Sequence, residues 1–212
     1  MLKNLPTWVD VDPGLKADED VFLGYLPESK ISNLRLTVGK NARIRSGTVI
    51  YAGSKIGDNL ETGHNVIIRE ENEIGCDLSI WSNSVIDYGC KIGDYVKIHS
   101  NCYIAQYTIL EDHVFLAPGV VIANDLHPGC KFSKKCMKGP TLQKYVQVGI
   151  NATILPFVII REHSIIGAGS VVTKNIPPRC VAYGNPATVV GSIYDIKCVK
   201  GFTDKPYARD QP

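Results

Sequence analysis

Large aliphatic residues recur at every sixth position from Val38 to Ile122: Val38, Ile44, Ile50, Ile56, then Ile68, Ile74, Ile80, Ile86, Ile92, Ile98, Ile104, Leu110, Leu116 and Ile122, with Thr62 the single departure. Glycine often follows the aliphatic (Gly39, Gly57, Gly63, Gly75, Gly93), and a small or β-branched residue stands four places after it in many repeats (Ala42, Thr48, Ser54, Val66, Ser84, Cys90). No helix has a period of six, and a β-sandwich spaces its turn signals more widely. A six-residue unit fits a short extended face with two inward side chains, closed by a corner. Such a corner needs positive φ, which glycine, asparagine and aspartate tolerate. Three faces close one coil, so residues eighteen apart stack at the strand spacing of ~4.8 Å. Ile50, Ile68, Ile86, Ile104 and Ile122 then form one internal ladder. The pattern predicts an all-β protein, a parallel β-helix of hexapeptide repeats.

The rhythm stops after Ile122 and returns in a shifted phase at Val148, Ile154, Ile160, Ile166 and Val172. The stretch between, 124–147, is expected to project from a corner as an extended loop. Insertions in repeat arrays commonly build the functional site. Residues 1–20 read as an irregular N-terminal segment, with a loosely patterned first coil over Val21 to Leu36. The β-helix domain is expected over 21–186, ended by Pro177 and Pro178. The tail, 187–212, is expected to cap the open end with a short helix, since a bare coil would expose unpaired strand edges.

Composition narrows the setting. A net charge of +2 over 212 residues gives no reason to expect nucleic acid or an anionic membrane as partner. No apolar run reaches membrane-spanning length, and the start carries no signal-peptide core, so no membrane span and a cytoplasmic location are expected. Seven cysteines, an odd number, read as reduced thiols rather than a disulfide framework.

Two segments, IGAGSVVTKNIPP at 166–178 and YGNPA at 183–187, resemble the hexapeptide acyltransferase superfamily. That resemblance spans about residues 30–190. It implies a left-handed coil, a homotrimer, and acetyl-CoA or another acyl-CoA bound as co-substrate between subunits, with no metal required. The segment VVIANDLHP at 120–128 is similar to the stretch before the extended loop in nucleotide-amino-sugar N-acetyltransferases, with Asn124, Asp125, Leu126 and Pro128 matching. His127 stands where those enzymes often carry an aromatic residue. Histidine before proline also resembles galactoside and maltose O-acetyltransferases, in which that histidine is the base. The acceptor is therefore either an amine of a nucleotide-linked sugar or a sugar hydroxyl. A non-catalytic β-helix scaffold subunit is the alternative from another class.

Acyl transfer from a thioester needs removal of the acceptor's proton, a donor for the developing oxyanion, and alignment of two bulky substrates. His127 is the candidate base, since its ordinary pKa lies near working pH; otherwise it is a loop histidine bonded to its own backbone or to solvent. Tyr88, Gln106 and Asn124 are eighteen apart and should share one corner column. Asn124 is a candidate catalytic residue that holds the acceptor, or a corner residue chosen for its backbone. Asp125 orients His127, binds a sugar hydroxyl, or is a turn residue. The resemblance assigns Gly167 and Ala168 to the pantetheine arm and Lys174 and Arg179 to CoA phosphates. A family arginine is replaced here by Thr188, leaving one phosphate contact to Lys197 or Lys200. Lys131, Lys134, Lys135 and Lys138 form a basic cluster in the loop, a phosphate attractor or a solvated face. His127, Cys130 and Cys136 could supply three zinc ligands, one short of a closed structural site. None of His64, His99, His113, His127 and His163 forms the close pair a γ-type carbonic anhydrase uses.

Overall fold

In the computed structural model, which describes residues 5–207, the chain winds into a left-handed parallel β-helix with three faces. The first face has eight strands, from Val9–Val11 to Ile159–Ile160. The second runs from Lys16–Ala17 to the strands Cys180–Gly184 and Ala187–Ser192. The third runs from Phe22–Tyr25 to Val171–Val172. Pairing is parallel with an offset of eighteen, as in Ile50↔Ile68 and Ile86↔Ile104. The aliphatic ladder forms the core: Ile44, Ile50, Ile68, Ile80, Ile86, Ile98 and Ile104 are wholly buried. Each such side chain contributes ~1.5–3 kcal/mol relative to exposure. Thr62 is buried too, and its departure from the pattern has a cause. Its hydroxyl accepts a hydrogen bond from the Arg45 backbone N–H at 3.0 Å.

The corners carry the expected asparagines and aspartates at positive φ, including Asn41, Asn59, Asn65, Asp77, Asn83 and Asn101. Bulky residues share that geometry: Tyr95, Tyr107, His113, Tyr145, Phe157 and His163 all have φ between 58° and 64°. A side chain pays about 1 kcal/mol or more for this backbone, so something at those corners must compensate.

Three expectations about boundaries change. The coil starts at Val9, within the segment expected to be irregular, because Val9↔Leu36, Lys16↔Arg43 and Phe22↔Val49 pair with an offset of twenty-seven. Val11, Ala17 and Leu23 keep the six-residue rhythm, displaced by nine extra residues in the connection before Leu36. The array also resumes earlier than Gln147: Ile109 pairs with Thr141 and Leu110 with Leu142, so the loop spans about 124–139. The tail caps the end mainly with strand rather than helix. Cys180–Gly184 adds in parallel to the second face, Ala187–Ser192 folds back antiparallel, and a 3-10 turn, Ile193–Asp195, follows. Among the described residues no helix is long and apolar enough to cross a membrane.

Candidate functional site

The loop leaves the corner between the third and first faces. Its neck is closed by a hydrogen bond from the Lys138 backbone N–H to the Asn124 carbonyl at 2.9 Å. Inside, one helical turn, Ser133–Cys136, is tied to the neck by Asp125, whose carboxylate accepts from the Ser133 hydroxyl and, at 2.8 Å, from the His127 backbone N–H. These donors, Ser133 first, hold the Asp125 carboxyl below the usual carboxylate range. Asp125 therefore shapes the loop and fixes the His127 backbone; the imidazole is exposed at the loop root. Lys131, Lys134, Lys135 and Lys138 are all exposed, and Lys131 lies 5.0 Å over the Phe132 ring. Cys130 and Cys136 are exposed, and the described residues contain no cluster of three or more His, Cys, Asp or Glu side chains arranged for a metal ion.

Beneath the loop the same corner holds a polar network that includes the buried carboxylates Glu70 and Asp87. The predicted column of Tyr88, Gln106 and Asn124 lies here, and Asn124 Nδ2 donates to Gln106 Oε1 at 2.6 Å. Gln106 Nε2 donates in turn to Asp87 Oδ2. Tyr88 turns its ring edge-on to Tyr107, at 5.5 Å, and joins through its backbone N–H, which donates to Asp87 Oδ1 at 2.9 Å. The Tyr103 hydroxyl donates to Asp87 Oδ2 at 2.7 Å; burial, and then this bond, push the phenol well above its ordinary pKa.

Arg69, Glu70 and Asp87 were not singled out in the sequence. Glu70 is 1% exposed and Asp87 5%. Arg69 holds Glu70 with two parallel bonds of 2.8 Å and lies 3.6 Å from Asp87. Burial is the largest influence on the Glu70 carboxyl and pushes it up, but the bonds and charge of Arg69, together with its own backbone N–H and Ser29, leave the group below its ordinary value. The Ser29 hydroxyl adds a bond to Glu70 at 3.2 Å. The guanidinium also sits over the Tyr51 and Tyr88 rings at 5.2 and 5.6 Å, where an aromatic face attracts a cation. A sequence signal existed. Stepping by eighteen through the two positions after the aliphatic rung gives Tyr51, Arg69, Asp87 and Ala105 in one column and Ala52, Glu70, Tyr88, Gln106 and Asn124 in the next.

The remaining candidates are dispersed over one chain. Gly167 and Ala168 lie at the corner between the second and third faces. A Cβ on Gly167 would sit 2.7 Å from Tyr183 Cβ, so the capping strand requires glycine there. Ala168 is exposed. Lys174 is exposed and follows Val172 by two residues, as Asn124 follows Ile122; Ile122, Ile154 and Val172 are successive rungs. Arg179 lies at the third corner, 3.5 Å from Glu162, and its carbonyl accepts from the Ile193 N–H of the cap.

The sequence matches the family described as "Bacterial transferase hexapeptide (six repeats)" over residues 73–106, 89–124 and 139–174. A comparison with curated proteins finds no match. Among solved structures, a perosamine N-acetyltransferase from Caulobacter crescentus, determined as a His-to-Asn mutant with CoA and GDP-perosamine, is 19% identical with a TM-score of 0.50. The alignment covers 74% of this chain and 59% of that one, so the present chain spans under two thirds of that relative. A UDP-N-acetylglucosamine acyltransferase, LpxA, from Bacteroides fragilis is 16% identical at a TM-score of 0.60, over 89% of this chain and 74% of that one. The polySia-specific acetyltransferase NeuO is 22% identical at 0.54, over 87% and 85%. These likenesses establish the fold. With its repeats matched on both sides of the loop and its three-faced coil shared with these structures, the chain carries transferase-type hexapeptide repeats wound into a left-handed β-helix.

Proposed function

We propose that the chain is an acyltransferase that moves an acetyl or other short acyl group from acyl-CoA to an amino group of a nucleotide-linked sugar. The observation that carries this reading is the hydrogen-bonded line from buried Asp87 through Gln106 to Asn124, which ends at the root of the inserted loop. Two buried carboxylates sharing one arginine beside an inserted loop are the kind of costly charge arrangement that clusters at functional sites, which supports an enzyme over a scaffold. The Caulobacter relative, solved in complex with CoA and GDP-perosamine, supports the choice of co-substrate and acceptor class.

In this reaction the acceptor nitrogen attacks the thioester carbon, the C–N bond forms and the C–S bond breaks. The nitrogen's extra proton passes to a base or to the departing thiolate, giving the CoA thiol. His127, exposed three residues beyond Asn124, is the base in our scheme, and Asn124 holds the acceptor. Gly167 and Ala168 line the pantetheine arm, while Lys174 and Arg179 meet CoA phosphates.

The third face supports a homotrimer with sites between subunits. Its outward positions are largely apolar: Phe22, Val49, Ile67, Val85, Tyr103 and Val121, with Phe22 56% and Val121 43% exposed. The second face presents Lys16, Arg43, Glu61, Ser79, Lys97 and Phe115 at the matching positions, polar in all but the last. Contiguous apolar surface of this kind marks a partner interface, and the polar network lies along its edge.

Thiol release from acetyl-CoA, measured against nucleotide-linked amino sugars, free amino sugars and plain sugars, tests the activity. Turnover on the nucleotide-linked amines is the expected result, with a loss of ~100-fold or more in His127→Ala. Turnover confined to hydroxyl acceptors would replace this reading with sugar O-acetylation. No thiol release with any acceptor and no CoA binding by calorimetry would leave a scaffold.

A further inference from the structure

The direction of the hydrogen bonds along Asp87, Gln106 and Asn124 is determined at one end only. Asp87 faces four donors: the Tyr103 hydroxyl and Gln106 Nε2 on Oδ2, the Tyr88 N–H on Oδ1, and the Arg69 guanidinium 3.6 Å away. The raised Tyr103 phenol keeps its proton and must give it to this carboxylate. A carboxylate only accepts, so Gln106 has to turn its nitrogen inward. Its oxygen is then left to face Asn124, which answers with Nδ2 at 2.6 Å. Each amide has one donor end and one acceptor end, so the choice made at Asp87 is passed to the last side chain. Asn124 is left with Oδ1 at the end of the line, and among the described residues no group donates to it.

We infer that Asp87 is a positioning residue, which sets the polarity of an amide relay so that Asn124 presents a carbonyl oxygen to the acceptor. The oxygen accepts an N–H from the nucleophilic amine and so turns its lone pair toward the thioester. The relay thus favours an acceptor whose nucleophilic atom donates a hydrogen bond, and repels one that offers only acceptors. This inference rests on the acyltransferase reading for its consequence in turnover, while the polarity itself is a property of the folded chain.

Asp87→Asn tests it. The substituted amide has the same size but can turn a nitrogen toward Gln106, which lets the whole line reverse and leaves Asn124 presenting NH2. A fall in kcat of ~10-fold or more is expected, with the KM for acyl-CoA unchanged and the melting temperature recorded as a folding control. The double variant Asp87→Asn/Asn124→Asp places an obligate acceptor at the far end and should recover much of the lost rate. A merely structural Asp87 would instead give losses that add. The side-chain amide resonances of Gln106 and Asn124 in a 15N spectrum supply a readout independent of activity: both should move in Asp87→Asn. Wild-type turnover with an unaffected Asp87→Asn overturns the positioning role and leaves the acyltransferase standing. Absence of wild-type turnover on every acceptor removes the acyltransferase, and the amide spectra then decide the relay alone: unmoved resonances sink it.

Discussion

Two corners of this prism are built from the same backbone and differ in what their side chains do. Between the first and second faces, the column Asn41, Asn59 and Asp77 is linked by side-chain hydrogen bonds of 3.1 Å. It continues as Tyr95, His113, Tyr145 and His163, stacked at 4.9, 4.5 and 4.8 Å with their planes within 4–9° of parallel. Each rung there satisfies the next with its own kind, and ring stacking of about 0.5–1.5 kcal/mol per pair offsets the strained φ. Between the third and first faces the column reads Glu70, Tyr88, Gln106, Asn124, flanked by Arg69 and Asp87. Nothing repeats, charges are buried, and the line runs in one direction. A corner that merely closes a coil can be periodic. The aperiodic one carries polar groups whose arrangement a closed coil does not need, and that is where the loop emerges.

Removing Arg69 should break that contrast most severely. Arg69→Ala leaves Glu70 buried without its bidentate partner, and taking one member from such a pair commonly costs several kcal/mol. With the guanidinium one-third exposed, a loss of ~3 kcal/mol in chemical denaturation is expected. The sign of its pH dependence follows from Glu70. In the wild type its folded pKa lies below the unfolded one, so the stabilisation is present above the unfolded value, near 4.5, and is lost as pH falls through the folded one. In the variant burial, the largest influence on Glu70, is opposed only by its own backbone N–H and Ser29 and raises the pKa, so the folded state gains protons and stability as pH falls. The gap between the proteins should therefore narrow between pH 6 and 4. A gap independent of pH would mean that Glu70 is not the group left behind.

The stacked corner is sharpened by a pair of substitutions with smaller effects. His113→Ala keeps the positive φ of 60° and loses both ring neighbours, so a loss of ~1.5 kcal/mol is expected. His113→Gly loses the same contacts but relieves the backbone, and should be about 1 kcal/mol more stable than the alanine variant. Thermal and urea melts of both decide the matter. Equal stabilities would show that the backbone at that corner is unstrained, and that stacking offsets nothing.

How far these corners were legible in the sequence differs for a physical reason. The aliphatic rungs are hydrophobic, inward and periodic, so a step of six finds them. The asparagines at positive φ follow from their own backbone preference. Tyr95, His113, Tyr145 and His163 do not, because a bulky residue disfavours that backbone and only the neighbour above or below stabilises it. His113 and Tyr145 become neighbours only once the loop has been subtracted, since thirty-two residues separate them. Val11, Ala17 and Leu23 were hidden by a nine-residue phase shift of the same kind. At the site, the eighteen-residue step correctly aligned Tyr88, Gln106 and Asn124 but stopped one rung short of Glu70. Asp87, one position off that column, entered only through its hydrogen bonds. Periodicity locates positions; it is silent on which neighbour a polar group chooses.

The smallest expected effect is on a thiol. Cys90 lies in the wall under Asp87, buried, with its Sγ 3.2 Å from the Ala105 carbonyl. Burial pushes its pKa up to about 12, so at pH 8 only ~1 in 10,000 molecules would hold the reactive thiolate even if reagent could reach it. Cys130 and Cys136 are exposed on the loop. Alkylation followed by peptide mass spectrometry should therefore mark the loop pair first and Cys90 only as that corner opens. Asp87→Asn, nearly isosteric, should leave the order unchanged. Arg69→Ala should speed Cys90 labelling without changing Cys130, because it weakens the wall and not the loop. If native Cys90 reacts as fast as Cys130, the corner is already open to solvent. The buried carboxylates would then be ordinary surface charges, and nothing but the loop would distinguish this corner from the stacked one.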